Sequence, residues 1–277
     1  YVHIKAQTLS GKDNNTELTT AVGFIAGALI YFFIFFYGTQ VMRGVIEEKT
    51  NRIIEVLISS VKPFELMMGK IIGIALVGLT QFLLWVILSF TITSFATKLL
   101  DSKKYDVTNI QQQMSQNGAE PEDISMANEI QNNISAINFP LILSCFLFYF
   151  LGGYLFYSAL FAAVGSAVDN ETDTQQFILP ITIPLIFAFI VAQSIISNPQ
   201  SELAFWCSFI PFTSPVVMMV RISFGVPWYE LLISMFLLIG GFLFTTYLAG
   251  RIYRIGILMY GKKPTYNELR KWIFYKD

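Results

Sequence analysis

An all-α integral membrane protein is the fold class this sequence predicts. Five transmembrane helices, an amphipathic cytoplasmic helix and a re-entrant outer helical hairpin make up the expected architecture. Three observations predict it. Only 13% of the 277 residues are charged, about half of the roughly 25% that a soluble domain carries. Hydrophobic residues make up 54% of the chain, and the mean hydropathy is +0.57. Finally, the apolar residues fall into five runs long enough to cross a hydrocarbon core of about 30 Å at 1.5 Å per residue.

Residues 1–17 are polar, with a short alternating start at Val2 and Ile4. Residues 18–42 form the first run, rich in Phe and Tyr and uncharged until Arg43. Residues 43–70 interrupt it with mixed charge. Ile46, Ile53, Ile54, Leu57 and Ile58 recur at three- and four-residue steps, which predicts one apolar helix face. Glu48 and Arg52 lie four apart and Glu55 follows three later, predicting supporting ion pairs on the opposite face. Pro63 is expected to end this helix near Val61 or Lys62. Such a helix either rests on the membrane surface or docks onto a soluble partner.

A second span is expected at 71–97, with Gln81 as its one strongly polar residue. Residues 98–138 are rich in Gln, Asn and acid and read as an outer loop with a weak helical pattern at 124–137. A third span covers 139–168. The acidic turn DNETDTQQ (169–176) leads into a fourth at 177–197, and the last span covers 231–250. Residues 198–230 are apolar but broken by Pro199, Pro211, Pro215 and Pro227, and their two apolar pieces are each too short to cross alone. A basic tail, 251–277, completes the chain.

Charge sets the orientation. Of 18 Lys and Arg residues, five lie in 43–70 (Arg43, Lys49, Arg52, Lys62, Lys70) and seven in the tail, so both segments belong in the cytoplasm. With five spans they fall on the same side, together with 169–176. A full crossing by 198–230 would put the seven basic residues of the tail outside, hence the re-entrant hairpin around Pro211 and Pro215. The same topology leaves Tyr1 outside without a signal peptide. A further span and an extracytoplasmic domain, of which 1–17 is the end, are therefore expected before it, giving six spans in the full protein.

Chemistry of its own is not expected of this chain. The only histidine, His3, lies outside the spans, leaving no base or metal ligand of that kind in the membrane. No G-x-x-x-x-G-K-[ST] is present to cradle phosphates. Asp169 and Asp173 sit in a polar turn where helix capping and solvation account for them. Cys145 and Cys207 lie inside apolar runs as small packed side chains. Catalytic and metal residues are thus expected to be none. Gln81 and Gln193 are the polar in-span candidates for facing a helix neighbour or a water-filled path, and no charged pair is expected within the spans. Stripes of small residues (Gly23 and Gly27; Gly69 and Gly73; Ser158, Ala162 and Ser166) mark packing seams, inside one bundle or between subunits.

The segment GVIEEKTNRIIEVLISSVKPFELMMGKIIG resembles the cytoplasmic signature of ABC-2 type permeases, in particular the sodium-export, NatB-like branch. GGYLFYSALFAAVGSAVDNETDTQQFILP, PFTSPVVMMVR and RIYRIGILMYGKKPTYNELRKW agree with it in order. The resemblance implies the membrane subunit of an ATP-binding-cassette exporter in the bacterial inner membrane, a homodimer or heterodimer of permeases with no nucleic-acid partner. It places a coupling helix in a groove of a separate cytoplasmic ATPase, with Glu47, Glu48, Lys49, Arg52 and Glu55 facing or bracing that partner. ATP and Mg would act through the ATPase, with no cofactor in this chain. Efflux of Na⁺ or of an amphipathic compound is the implied activity. A membrane anchor or assembly protein without transport, and an ion-coupled carrier, are the alternatives.

Overall fold

The computed structural model describes residues 10–114, 139–199, 201–261 and 265–274. Among them every regular element is helical: α1 (Ser10–Thr50), α2 (Ile53–Leu57), α3 (Pro63–Met114), α4 (Phe139–Ala167), a 3₁₀ turn (Glu171–Thr174), α5 (Gln175–Ser197), α6 (Glu202–Cys207), α7 (Ser214–Ile222), α8 (Trp228–Gly256) and α9 (Tyr266–Phe274). Five helical stretches are long and apolar enough to cross a membrane: Thr19–Thr50, Pro63–Ala96, Pro140–Ala167, Thr172–Ser197 and Trp228–Gly256. His3, the alternating start and the 124–137 pattern lie outside the described residues.

The chain forms two units, Tyr1–Ala75 with Asn138–Asp277, and Leu76–Ile137. In the second, α3 is apolar at consecutive positions. Leu83, Leu84, Trp85, Ile87, Phe90 and Phe95 are all exposed, as befits a helix whose solvent is lipid. The expected loop at 98–138 begins later than its composition suggests, because α3 continues helical to Met114. Lys, Leu, Gln and Asp at 98–114 cost a helix little once it is nucleated, so the first charge marks the edge of the apolar run and not of the helix.

The larger unit is built on α1, α4, α7 and α8. Ile30, Ile34, Tyr37, Val41 and Val45 recur at three and four residues along α1 and are buried. Tyr149, Phe150, Tyr154, Phe156, Tyr157 and Phe161 do the same along α4. Tyr154 donates its hydroxyl proton to Ile71 O at 2.8 Å and Tyr157 to Phe212 O at 2.6 Å, so these two buried phenols each meet a backbone acceptor. Val216, Val217, Met218, Met219 and Val220 of α7 are wholly buried. A short helix that is apolar on every side belongs inside a bundle.

Small residues set the crossings. A Cβ on Gly27 would lie 2.8 Å from Val220, one on Gly153 2.8 Å from Pro215, and one on Gly241 2.7 Å from Pro211. Gly23 and Gly27 therefore receive α7, while Gly153 and Gly241 accept the two prolines of the α6–α7 hairpin. Ser158, Ala162 and Ser166 are buried in the same bundle. Gly69 and Gly73, by contrast, face open space.

Two expectations fail around residues 43–70. There is no single amphipathic helix there: α1 runs through to Thr50, Asn51 and Arg52 turn the chain, α2 is five residues long, and α3 starts at Pro63. Val41, Met42, Val45 and Ile46 prolong the buried stripe of α1 past the first charge, which is why the helix does not stop at Met42. Pro63 opens a helix more than it closes one, since its missing N–H falls where a first turn has no acceptor.

Candidate functional site

The turn at residues 51–62 projects from one end of the larger unit. Arg52 adopts the left-handed conformation (φ 56°), uncommon for a residue with a Cβ, and its carbonyl accepts from Glu55 N at 3.2 Å. This reverses the chain between α1 and α2. Only Ile54 of α2 is buried, while Ile53 is 46% and Val56 73% exposed. The Ile/Leu face is thus divided, and the elbow shows solvent a mixed surface: Arg52, Ile53, Glu55, Val56, Val61 and Lys62.

The five residues expected to meet a partner separate into two groups. Glu47, Arg52 and Glu55 are exposed. Glu48 turns inward to Lys70, with its Oε2 2.6 Å from the ammonium; the expected pairing of Glu48 with Arg52 gives way to this link between α1 and α3. Lys49 is 1% exposed and cannot face a partner in this arrangement. It stands one turn beyond Val45 on the buried stripe.

Lys49 joins three helices. Its Nζ donates to Ser166 O at 2.8 Å and to Gly256 O at 2.9 Å, and lies 2.9 Å from Asp169 Oδ1. An ammonium has three protons, and these three oxygens meet them. Ser166 and Gly256 are at the C-terminal ends of α4 and α8, where unpaired carbonyls and the helix dipole favour a cation. A Cβ on Gly256 would sit 3.0 Å from Ser166 O, so glycine permits the approach that lets one lysine reach both. Asp169 accepts from Gly261 N at 2.6 Å through its other oxygen, and Thr50 Oγ1 donates to Asp169 O at 3.2 Å. The expectation that Asp169 caps a helix or is merely solvated is therefore corrected: it is the counter-ion of Lys49. Asp173 is half-buried in the 3₁₀ turn, its N–H bonded to Asn170 O. Burial raises the pKa of the nearby Tyr260 phenol, and Glu55 adds to the shift. Its ring centroid lies 5.8 Å from the Lys49 ammonium.

At the opposite end, α6 and α7 have six and nine residues, about 9 and 14 Å at 1.5 Å per residue. Neither crosses. The hairpin is held by a second buried ion pair, Arg221 Nη2 to Glu230 Oε2 at 2.9 Å. Arg221 also bonds Ser208 Oγ, and Ser234 Oγ donates to Ser208 O at 2.6 Å. Pro215 lies in the first turn of α7. The hairpin lines a cavity of about 770 Å³ whose walls include Glu202, Phe205, Arg221 and Phe224. Buried ion pairs thus exist after all, at the two ends of the bundle. Gln81 and Gln193, the in-span candidates, are each exposed on their own helices. Among the described residues no group of three His, Cys, Asp or Glu side chains could hold a metal ion.

Residues 2–251 are matched by the model of the ABC-2 family transporter proteins. The chain belongs to this family. ABC-2 permeases are multi-pass membrane components of transporters and generally pair with a cytoplasmic ATPase. The uncharacterized protein YhaP of Bacillus subtilis (strain 168) is 26% identical over 94% of this chain and 57% of its own length. The uncharacterized protein MJ1024 of Methanocaldococcus jannaschii is 30% identical over 92% of this chain and 54% of its own. The chain thus spans about half the length of the curated relatives it matches. No solved structure matches it significantly.

The burial of Lys49, though not its partners, was open to sequence reasoning, since the step of four from Val45 puts it on the buried stripe. The left-handed turn at Arg52 carries no such signal, lacking the Gly or Asn that usually marks one.

Proposed function

We propose that this ABC-2 permease is the membrane subunit of an exporter, of the NatB-like branch, and that the elbow at residues 51–62 is where a separate ATPase docks. The exposure of Arg52, Ile53, Glu55 and Val56 on a turn anchored immediately behind by Lys49 carries this reading. Arg52 and Glu55 offer charges to a polar groove, and Ile53 and Val56 offer the apolar contact that makes such a dock hold. Displacement of the elbow passes through the short step from Arg52 to Lys49 into the ends of α4 and α8. ATP binding brings two ATPases together, the elbows move with them, and paired permeases, identical or related, rock about their shared interface. By the positive-inside rule the basic elbow and the basic tail lie in the cytoplasm, in a bacterial inner membrane. Na⁺ or an amphipathic compound is the cargo this reading admits.

The test is retention of the ATPase. Co-expressed with its ATPase subunit and purified in detergent, the wild-type permease is expected to retain it, and Arg52→Glu with Val56→Asp to lose it while still inserting and folding. A wild-type chain that retains no ATPase, or a double variant that retains as much, overturns the docking assignment.

A further inference from the structure

Helix α9 doubles back along α8. Although α8 ends at Gly256, Arg251 Nη1 donates to Ile273 O at 2.6 Å, and the Arg251 guanidinium lies 4.7 Å from the Tyr247 ring centroid. The C-terminal end of α9 therefore stands beside turns of α8 that belong to a membrane-spanning stretch, Trp228–Gly256. Two further features hold α9 in shape. Thr265 N donates to Glu268 Oε2 at 3.0 Å, one half of a capping box. Arg251 supplies a cation to a carbonyl of the last turn, which the helix dipole favours.

Leu269, Trp272 and Ile273 are half-buried, whereas Asn267, Arg270, Lys271 and Phe274 are exposed. Steps of three, four and seven put these four on one face. That face offers two cations beside a phenyl ring that is 75% exposed, at the level where a spanning helix leaves the hydrocarbon. Cations with aromatic rings at this depth are the composition of a lipid–water boundary.

We propose that this face of α9 binds the headgroups of anionic phospholipids in the leaflet that borders the elbow. Arg270 would take a phosphate by its fork of donors and Lys271 as a point charge, with Phe274 among the upper acyl carbons. The level of the face decides for lipid over a soluble partner, because Arg251 and Tyr247 fix it alongside a membrane span. Anionic membrane surfaces attract each nearby Lys or Arg by about fivefold in association at low salt.

The test uses the full chain in nanodiscs of phosphatidylcholine, keeping Trp272 and changing Trp85, Trp206 and Trp228 to Phe. Brominated phosphatidylglycerol is expected to quench Trp272 about two- to fivefold more per lipid than brominated phosphatidylcholine at the same fraction. In Arg270→Gln/Lys271→Gln the ratio is expected to fall to about one. Equal quenching by both lipids, or a preference unchanged in the variant, overturns the proposal. So does shielding of Trp272 from the brominated lipid by added ATPase subunit, which would assign the face to protein. If the tryptophan changes impair folding, phosphorus analysis of anionic lipid retained by the four-tryptophan chain decides. A loss of at least twofold in Arg270→Gln/Lys271→Gln supports the site, and no loss overturns it. Either result is independent of whether the elbow binds its ATPase.

Discussion

Replacing Lys49 by Met removes an ammonium from a place that was made for one. Methionine keeps much of the length and apolar stem, so the change reads the charge and its hydrogen bonds more than volume. Three oxygens lose their donor: Ser166 O, Gly256 O and Asp169 Oδ1, at 2.8, 2.9 and 2.9 Å. Breaking a buried ion pair from one side costs about 3–5 kcal/mol, and each buried carbonyl left unpaired about 1–3 kcal/mol. Asp169 is 27% exposed and keeps Gly261 N, so water and backbone cover part of the loss. About 3 kcal/mol is the expected net destabilisation. At roughly 2–4 °C per kcal/mol for chains of this size, the midpoint of thermal unfolding in detergent should fall by roughly 6–12 °C. Adding Asp169→Asn, which removes the stranded carboxylate charge, should restore about 1–2 kcal/mol, a coupling that a double-mutant cycle reads directly. A fall of less than about 2 °C in Lys49→Met, or strict additivity with Asp169→Asn, would show that the three-helix junction does not hold the bundle together.

Four other outcomes follow from the same geometry. Gly256→Ala places a methyl 3.0 Å from Ser166 O and should cost about 1–3 kcal/mol by overpacking, checked by the same unfolding midpoint. Arg221→Met should destabilise by about 3 kcal/mol through the stranded Glu230, and Arg221→Met/Glu230→Met by clearly less, because an apolar pair of similar volume leaves no buried charge. Val56→Asp, at a side chain 73% exposed, should alter stability by less than about 0.5 kcal/mol yet weaken ATPase retention at least tenfold in a pull-down titration. In intact cells an impermeant thiol reagent should label Val226→Cys, which lines the hairpin cavity, and should leave Ser59→Cys of the elbow unlabelled until the membrane is opened.

The spans were legible because lipid imposes a simple rule: a run of apolar residues of sufficient length, with few charges, has nowhere else to go. The proline-broken segment was legible in the same terms, since α6 and α7 follow from Pro199, Pro211, Pro215 and Pro227 dividing an apolar stretch into pieces too short to cross. The elbow was not. Periodicity reports which residues share a face but not where a helix turns, and Ile53 and Ile58 continued a pattern that the backbone broke at Arg52. Lys49 was misplaced for a different reason: its charge argued for solvent while its position, four beyond Val45, argued for the interior. Three acceptors from distant parts of the chain decided for the interior, and no local pattern announces those. For α9 the signal was present, Thr265 followed by Glu268 three later, and lay hidden in what composition showed only as a basic tail.

The junction at Lys49 also dates the protein's own assembly. Its acceptors lie 117 and 207 residues further along the chain, so the lysine leaves the ribosome long before Gly256 does. At about 5–20 residues per second, tens of seconds pass in which the elbow exists without its anchorage. If an ATPase docks on the anchored elbow as proposed, it would meet a finished bundle and pass over a half-made one. On that reading, a chain truncated before α8 would lack the Gly256 acceptor of Lys49 and should retain less ATPase than the full chain.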